Sequence, residues 1–328
     1  MKKIYLFIAV FAFITITGCK KEYLNTKPSN GVTIEQIFGQ LTSVYAALNG
    51  SVKEQFAYST GSATGPHDAF GQKGYDLAND LMGNDMVVHS SGYGWFNTDY
   101  NYTEFQNPNV NRQCDLSWYL YYDLIRQANT ILEYLDNVPD ATQEQKDAIK
   151  GEALAIRGYC YFYLINYFQQ SYKGNETKPG VPLKTVVSLD DVGRGTVQEI
   201  YDQMISDFTS AETLLDGKTR VDKSHIDVNV IRGFRARIAL LQEDWASAAS
   251  FAHSARQGYP LLTIGSGMQY TDIDAFSSVA NPEWIWGSII DESDATIYAS
   301  FFSHIDINTG GYAALGARKK LQKHCTIR

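Results

Sequence analysis

Thr33-Ile-Glu-Gln36 and Thr196-Val-Gln-Glu199 share one spacing, a threonine three residues ahead of Gln or Glu. At that distance the threonine oxygen can accept from an early helical amide while the longer side chain reaches back to the threonine amide, so each stretch predicts a helix start. The apolar residues that follow recur every three to four positions, the beat of an amphipathic helix. Ile34, Ile37, Phe38, Leu41, Val44, Tyr45 and Leu48 predict a first helix ending near Gly50. Trp118, Leu120, Leu124, Ile131, Leu132 and Leu135 predict a second, running to Pro139. Ile149, Ala153, Ile156, Cys160, Tyr163, Leu164 and Tyr167 mark a third. The fourth runs from Thr196 through Ile200, Met204, Phe208 and Leu215 to a stop at Gly217. Residues 227–242 and 244–258 then form a pair, with Asp244 placed to cap and Gly258 to terminate. Alanines at 246, 248, 249, 252 and 255 would let neighbouring helices approach closely. The fold class expected is mostly α, a stack of tetratricopeptide-like helix pairs, although no repeat period is sharp enough to score.

Two long stretches break this pattern. Residues 58–114 interleave Gly61, Gly65, Gly71, Gly74, Gly83, Gly92 and Gly94 with Tyr75, Tyr93, Trp95, Phe96, Tyr100, Tyr102 and Phe105. Residues 259–317 contain "NPEWIWGSII", whose alternation at Trp284, Trp286 and Ile289 predicts a short strand. Loops of this length in a folded domain are functional or disordered, and so many rings argue against disorder. The two aromatic-rich regions are expected to meet in one surface.

The amino terminus carries a separate signal. Met1-Lys2-Lys3 is followed by an apolar run from Ile4 to Ile16 and then by Thr17-Gly18-Cys19. This is the layout of a secretory signal, and the run is too short to span a bilayer. The small residues immediately before Cys19 resemble the lipobox of bacterial lipoproteins. That resemblance implies cleavage after residue 18, acyl chains on Cys19 and a lipid anchor in place of a transmembrane helix. A plain secreted protein and an uncleaved anchor are the alternatives. Residues 19–32 read as a polar tether. The other cysteines, Cys114, Cys160 and Cys325, are too far apart for a disulfide framework, and Cys160 reads as a small core residue.

Composition excludes some partners and offers no support for catalysis. The chain of 328 residues has a formal charge of −8, more negative still without Lys2 and Lys3, so nucleic acid is not an expected partner. There is no G-x-S-x-G, no H-E-x-x-H and no phosphate-binding loop. Carboxylate pairs such as Asp190/Asp191 and Asp272/Asp274 occur in any acidic chain, and the latter lacks the rest of a calcium loop. His67, His89, His225, His253 and His304 show no metal-ligand spacing. No enzyme, metal or cofactor is therefore expected. A glycoside hydrolase is the weaker alternative, and a helix-repeat scaffold binding other envelope proteins would explain the helices but not the aromatic loops.

A set of blocks in fixed order resembles the SusD/RagB family of outer-membrane, glycan-binding lipoproteins. They are "YLNTKPSNGVT" after the lipobox, "YYDLIRQANTILEYLDNV", "KGEALAIRGYCYFYLINYFQQ" with "GVPL", "GRGTVQEIYDQMISDFTSAETLL", "RARIALLQEDWASAASFAHSA" and "NPEWIWGSI". The resemblance runs from residue 19 to about 317. It implies a helical scaffold with an irregular ligand-binding part, no catalysis, and a SusC-like TonB-dependent transporter as partner. By position in the family it implies Tyr93 and Trp95 for stacking on sugar, Asp80 and Asn97 for hydroxyls, and Tyr298 or Phe301 from the second region. Residues 33–317 would be the SusD-like domain. Residues 318–328, abruptly basic from Arg318 to His324, read as an atypical tail, as though the family pattern were truncated.

Overall fold

The computed structural model describes residues 31–58, 67–83, 85–90, 92–103, 106, 112–261, 279–290, 299–305 and 315–317. The leader, Cys19, Tyr298, the Asp272/Asp274 pair and the basic tail lie outside the described residues.

The first capping box forms as its sequence demands. The Gln36 amide donates to Thr33 Oγ1 at 3.3 Å and the Thr33 amide to Gln36 Oε1 at 2.8 Å, opening α1, Ile34–Ile37. The helix expected to run unbroken to Gly50 is in fact two. The chain turns at Phe38–Gln40 and restarts as α2, Leu41–Glu54, where Asp140 from a distant loop accepts from the Leu41 amide at 2.8 Å. That borrowed cap replaces intrahelical partners, and local periodicity cannot reveal it. Gly50 is carried through the interior of α2.

The glycine-rich stretch hides a helix, α3, Gln72–Met82, which corrects the expectation of loop throughout 58–114. Its start depends on Gly71, whose φ of +67° suits a residue without a side chain. A Cβ there would stand 2.2 Å from the Gln55 carbonyl oxygen, the same group that accepts from the Gln72 amide at 2.7 Å. Strand β1, Met86–Val88, and one turn of helix, α4, Asn97–Tyr100, follow.

The scaffold proper begins with α5, Arg112–Tyr134, which tightens into a 3₁₀ turn at Leu135–Asn137. Next is α6, Gln143–Phe168, opened by a capping box between Thr142 and Gln145. Buried on nearly every side from Ile149 to Ile165, α6 is the central element. Strands β2, Pro179–Pro182, and β3, Arg194–Thr196, form an irregular antiparallel hairpin that feeds α7, Val197–Leu215. The Thr196–Glu199 box forms, and Gly217 follows the helix end at φ +69°. Helix α8, Val228–Leu241, is capped by Asp227, and α9, Trp245–Ala255, by Asp244. Helix α10, Phe301–Ile305, and β4, Leu315–Ala317, complete the described elements, with β4 antiparallel to β1.

Neighbouring pairs α5/α6, α6/α7 and α8/α9 make this the mostly α helix-pair fold expected. Between α6 and α7 the approach is set by glycine: a Cβ on Gly151 would meet Leu215 Cγ at 2.8 Å, and one on Gly158 the Phe208 ring at 3.0 Å. Of the alanines on α9 only Ala248 and Ala255 are buried, while Ala246, Ala249, Ala252 and His253 are exposed. Cys160 is a fully buried core thiol, as expected.

No strand forms at Trp284–Ile289. That segment is held from the side. Trp286 Nε1 donates to the Ser224 carbonyl at 2.8 Å, the Gly287 amide to that of Lys223 at 3.0 Å, and Arg220 to that of Ile285 at 2.7 Å. The alternation reflects Trp286 packing edge-on against Tyr159 and Phe234.

Candidate functional site

A second, smaller core stands beside the scaffold. Phe70, Leu77, Ala78, Leu81 and Phe96 are buried together, and Trp95, Tyr100, Phe301 and Ile305 pack around them. Residues from both aromatic-rich regions therefore share one cluster. The bridge between them is His304 on α10. Its Nε2 lies 3.0 Å from the His67 carbonyl oxygen, and its ring stacks on Phe70 at 5.7 Å and meets Phe96 edge-on at 5.1 Å. Burial among these rings is the main reason its pKa lies below the ordinary histidine value.

The loop ahead of α4 presents its rings through an unusual backbone. Gly92 and Gly94 have φ of +41° and +86°, and Phe96, fully buried, has φ of +63°. A bulky residue in the left-handed region costs on the order of 1–3 kcal/mol, so the surrounding packing must impose it. The consequence is a fixed division of labour. Tyr93 is thrown outward at 73% exposure, while Trp95 lies half-buried with its indole 5.0 Å from the His67 ring at 34°. His67 in turn stands 6.4 Å from Tyr58 at 60°. Tyr58, His67 and Trp95 make a row of partly exposed rings, each tilted against the next. Flat apolar faces of this kind suit the C–H faces of sugar rings.

Among the residues expected at a site, Trp95 and Phe301 rest on the same small core. Tyr93 is at the loop tip, and Asn97 is the half-buried first residue of α4. Asp80 lies on α3, its carboxyl pushed up chiefly by burial, then by Asp76 and Asp85, with Lys73 opposing. Lys73 also sits 5.0 Å above the Phe301 ring and 3.8 Å from Asp76. Tyr298 is outside the described residues. Sequence reasoning missed Tyr58 and His67. They belong to different segments, and no spacing in the chain announces that they line up with Trp95.

A cavity of about 100 Å³ opens elsewhere, between α2, α6 and the 218–227 loop, with Tyr45, Leu48, Ile149, Glu152, Arg220 and His225 in its lining. Its charges serve the fold. Glu152 Oε1 accepts from His225 Nδ1 at 2.9 Å and from the Ile226 amide at 3.1 Å, and Arg220 pairs with Asp227 at 3.2 Å. Among the described residues no group of three or more His, Cys, Asp or Glu is arranged to hold a metal ion. Among them, too, no helix is long and apolar enough to cross a membrane.

A family model described as SusD-like, starch-binding and associating with the outer membrane matches residues 66–240, more than half of the chain. Among solved structures, the fold is similar to a SusD-like carbohydrate-binding protein from Bacteroides vulgatus. That match has a TM-score of 0.67 and 26% identity, and covers 81% of this chain and 54% of that one. A SusD superfamily protein from Bacteroides thetaiotaomicron matches with a TM-score of 0.55 and 23% identity over 68% of this chain and 48% of that one. A laminarin-binding SusD-like protein matches at 0.50 and 22%, over 70% and 46%. The chain thus spans about half the length of these structures. No curated protein matches it.

Proposed function

The chain belongs to the SusD-like family, and on that footing we propose that it captures extracellular oligosaccharide without cleaving it and passes the ligand to a SusC-like TonB-dependent transporter. Acyl chains on Cys19 would hold it at the outer membrane, facing outward. The observation that carries the reading is the Tyr58–His67–Trp95 row, in which three segments of the chain bring their rings together and Trp95 is presented between the left-handed residues Gly94 and Phe96. A preorganised ring platform binds sugar without first paying for its own ordering. Asn97, Asp80 and Phe301 are the neighbouring groups we assign to hydroxyls and to a further ring contact.

Calorimetric titration with neutral oligosaccharides, alongside product analysis, tests this. Trp95→Ala and Tyr58→Ala should each weaken binding by about 1–3 kcal/mol, the scale of losing a buried aromatic contact, and no shortened sugar should accumulate. Unchanged affinity in both variants would remove the row from the site, and released product would favour a hydrolase. Cys19→Ala should free the protein from membranes, since each buried acyl CH₂ contributes about 0.8 kcal/mol to anchoring. Outer-membrane pull-downs with the lipidated form should recover a TonB-dependent barrel; repeated failure would count against the transporter.

A further inference from the structure

The arginines of α8 are not held alike. Arg232 and Arg235 both pair with Glu212, at 2.8 and 2.5 Å. Arg157, Arg220 and Arg126 likewise have carboxylate partners. Arg237 is exposed and has none among the described residues, yet it is fixed in place. Its guanidinium lies 4.4 Å over the Phe162 ring, 5.5 Å from Phe234 and 5.6 Å from Tyr163, with Nη1 donating to the Tyr163 hydroxyl at 3.4 Å. Three rings therefore orient a planar fork whose charge is left uncancelled. An oriented, uncancelled fork is what bidentate recognition of a carboxylate or sulfate requires.

The groups beside Arg237 extend from it in one direction. On α6 the partly exposed face carries Tyr163, Asn166 and Tyr167, with Tyr163 and Tyr167 rings 5.8 Å apart. The Tyr167 hydroxyl accepts from Asn79 Nδ2 of α3 at 2.9 Å. Asp76, one turn ahead of Asn79 on α3, lies alongside these groups, its charge reaching Tyr163 and Tyr167 and facing Lys73. The row thus has a cation at one end and hydroxyls and amides along it. A ligand matching it carries an anionic group at one end and hydroxyls along its length.

We propose that Arg237, Tyr163, Tyr167 and Asn79 form a second subsite, for an acidic sugar unit bearing a carboxylate or sulfate. The sugar's anionic group sits on the Arg237 fork and its hydroxyls run towards Asn79. The inference rests on the saccharide-binding reading for the class of ligand, but on different residues.

Calorimetry with an oligogalacturonate, a sulfated oligosaccharide and a neutral oligosaccharide, at low salt, tests both and separates them. Wild type should bind at least one acidic sugar. Arg237→Met, which keeps an apolar chain over Phe162, should weaken that binding tenfold or more and leave neutral binding unchanged. Arg237→Lys, with charge but no fork, should fall between the two. Tyr58→Ala should weaken the neutral ligand in preference. Thermal melts of each variant guard against misfolding: acidic binding lost only in step with the melting temperature overturns the assignment. So does binding of neutral sugar alone by wild type, full acidic affinity in Arg237→Met, or acetate alone competing as well as the acidic sugar. If no saccharide binds at all, the broader reading falls with it.

Discussion

Arg157 and Asp207 face each other across α6 and α7 in a two-point ion pair, Nε to Oδ2 at 2.9 Å and Nη2 to Oδ1 at 2.6 Å, with side chains only 8% and 1% exposed. The remaining valences are also met. Arg157 Nη1 donates to Asn129 Oδ1 of α5 at 2.8 Å and to the Thr185 carbonyl at 3.1 Å, and Gln203 donates to Asp207 at 2.8 Å. One guanidinium therefore ties three helices to the β2–β3 loop. Removing one partner should cost about 3–5 kcal/mol, because it strands a buried charge. Urea unfolding of Asp207→Asn checks this. The double replacement Arg157→Met with Asp207→Leu should recover most of the loss, and a double variant as unstable as the single one would contradict the account.

Glycine at the α6–α7 contact is a steric requirement, whereas Gly50 in α2 is not. Gly158→Ala should destabilise by about 1–3 kcal/mol through overpacking against Phe208, a ring already stacked on Phe234 at 5.6 Å. Gly50→Ala meets nothing within 4 Å and should stabilise by up to about 1 kcal/mol through helix propensity. Chemical denaturation of the two variants side by side gives opposite signs if the contact geometry is right.

His225 lends the fold a dependence on pH. Its hydrogen bond to Glu152 raises its pKa, burial and Arg220 oppose, and the Glu152 and Asp222 charges add to the rise. The folded state thus holds this proton more tightly than the unfolded chain. The stabilisation is complete below the ordinary histidine range and is lost as pH rises through the folded value. Urea unfolding of His225→Gln should show a shallower fall between pH 6 and pH 9 than wild type. Parallel curves would mean that the pair contributes nothing.

The scaffold helices were legible because each depends on near neighbours in sequence: the Thr196–Glu199 box, the Asp244 cap and the apolar beat of α6 and α7. What sequence hid depends on distant groups. Helix α3 starts from a glycine fitted against the Gln55 carbonyl, and α2 is capped by Asp140, 99 positions away. The site shows the same divide. Trp95 was named through its position in the family resemblance, whereas Tyr58 and His67 meet it only through folding. The alternation at Trp284 and Trp286 suggested a strand, but Trp286 is held by edge-on packing against Tyr159 and not by a strand partner.

Glu54 closes α2, four residues before Tyr58 begins the ring row, and it shares Gln127 with Asp123. The Gln127 amide nitrogen donates to Glu54 Oε2 and to Asp123 Oδ2, the latter at 2.8 Å, while Asp123 is also held by Arg126 at 2.6 Å. Burial, followed by the nearby Asp123, pushes the Glu54 carboxyl up to about 7, against the partial relief from Gln127 and Arg126. A carboxyl that prefers its proton in the folded state penalises folding once pH exceeds its unfolded value near 4.5, and the penalty grows until pH passes about 7. For a half-exposed group, solvent screening reduces that penalty to something on the order of 1–2 kcal/mol. Glu54→Gln should therefore be more stable than wild type at pH 8 by roughly that amount and gain nothing at pH 5. Because His225 acts in the same direction at neighbouring pH, the measurement needs both single variants and the double one. Separate sites should give additive flattening of the stability curve. If Glu54→Gln and wild type lose stability in parallel between pH 5 and pH 8, the two carboxyls do not compete, and the end of α2 is indifferent to pH.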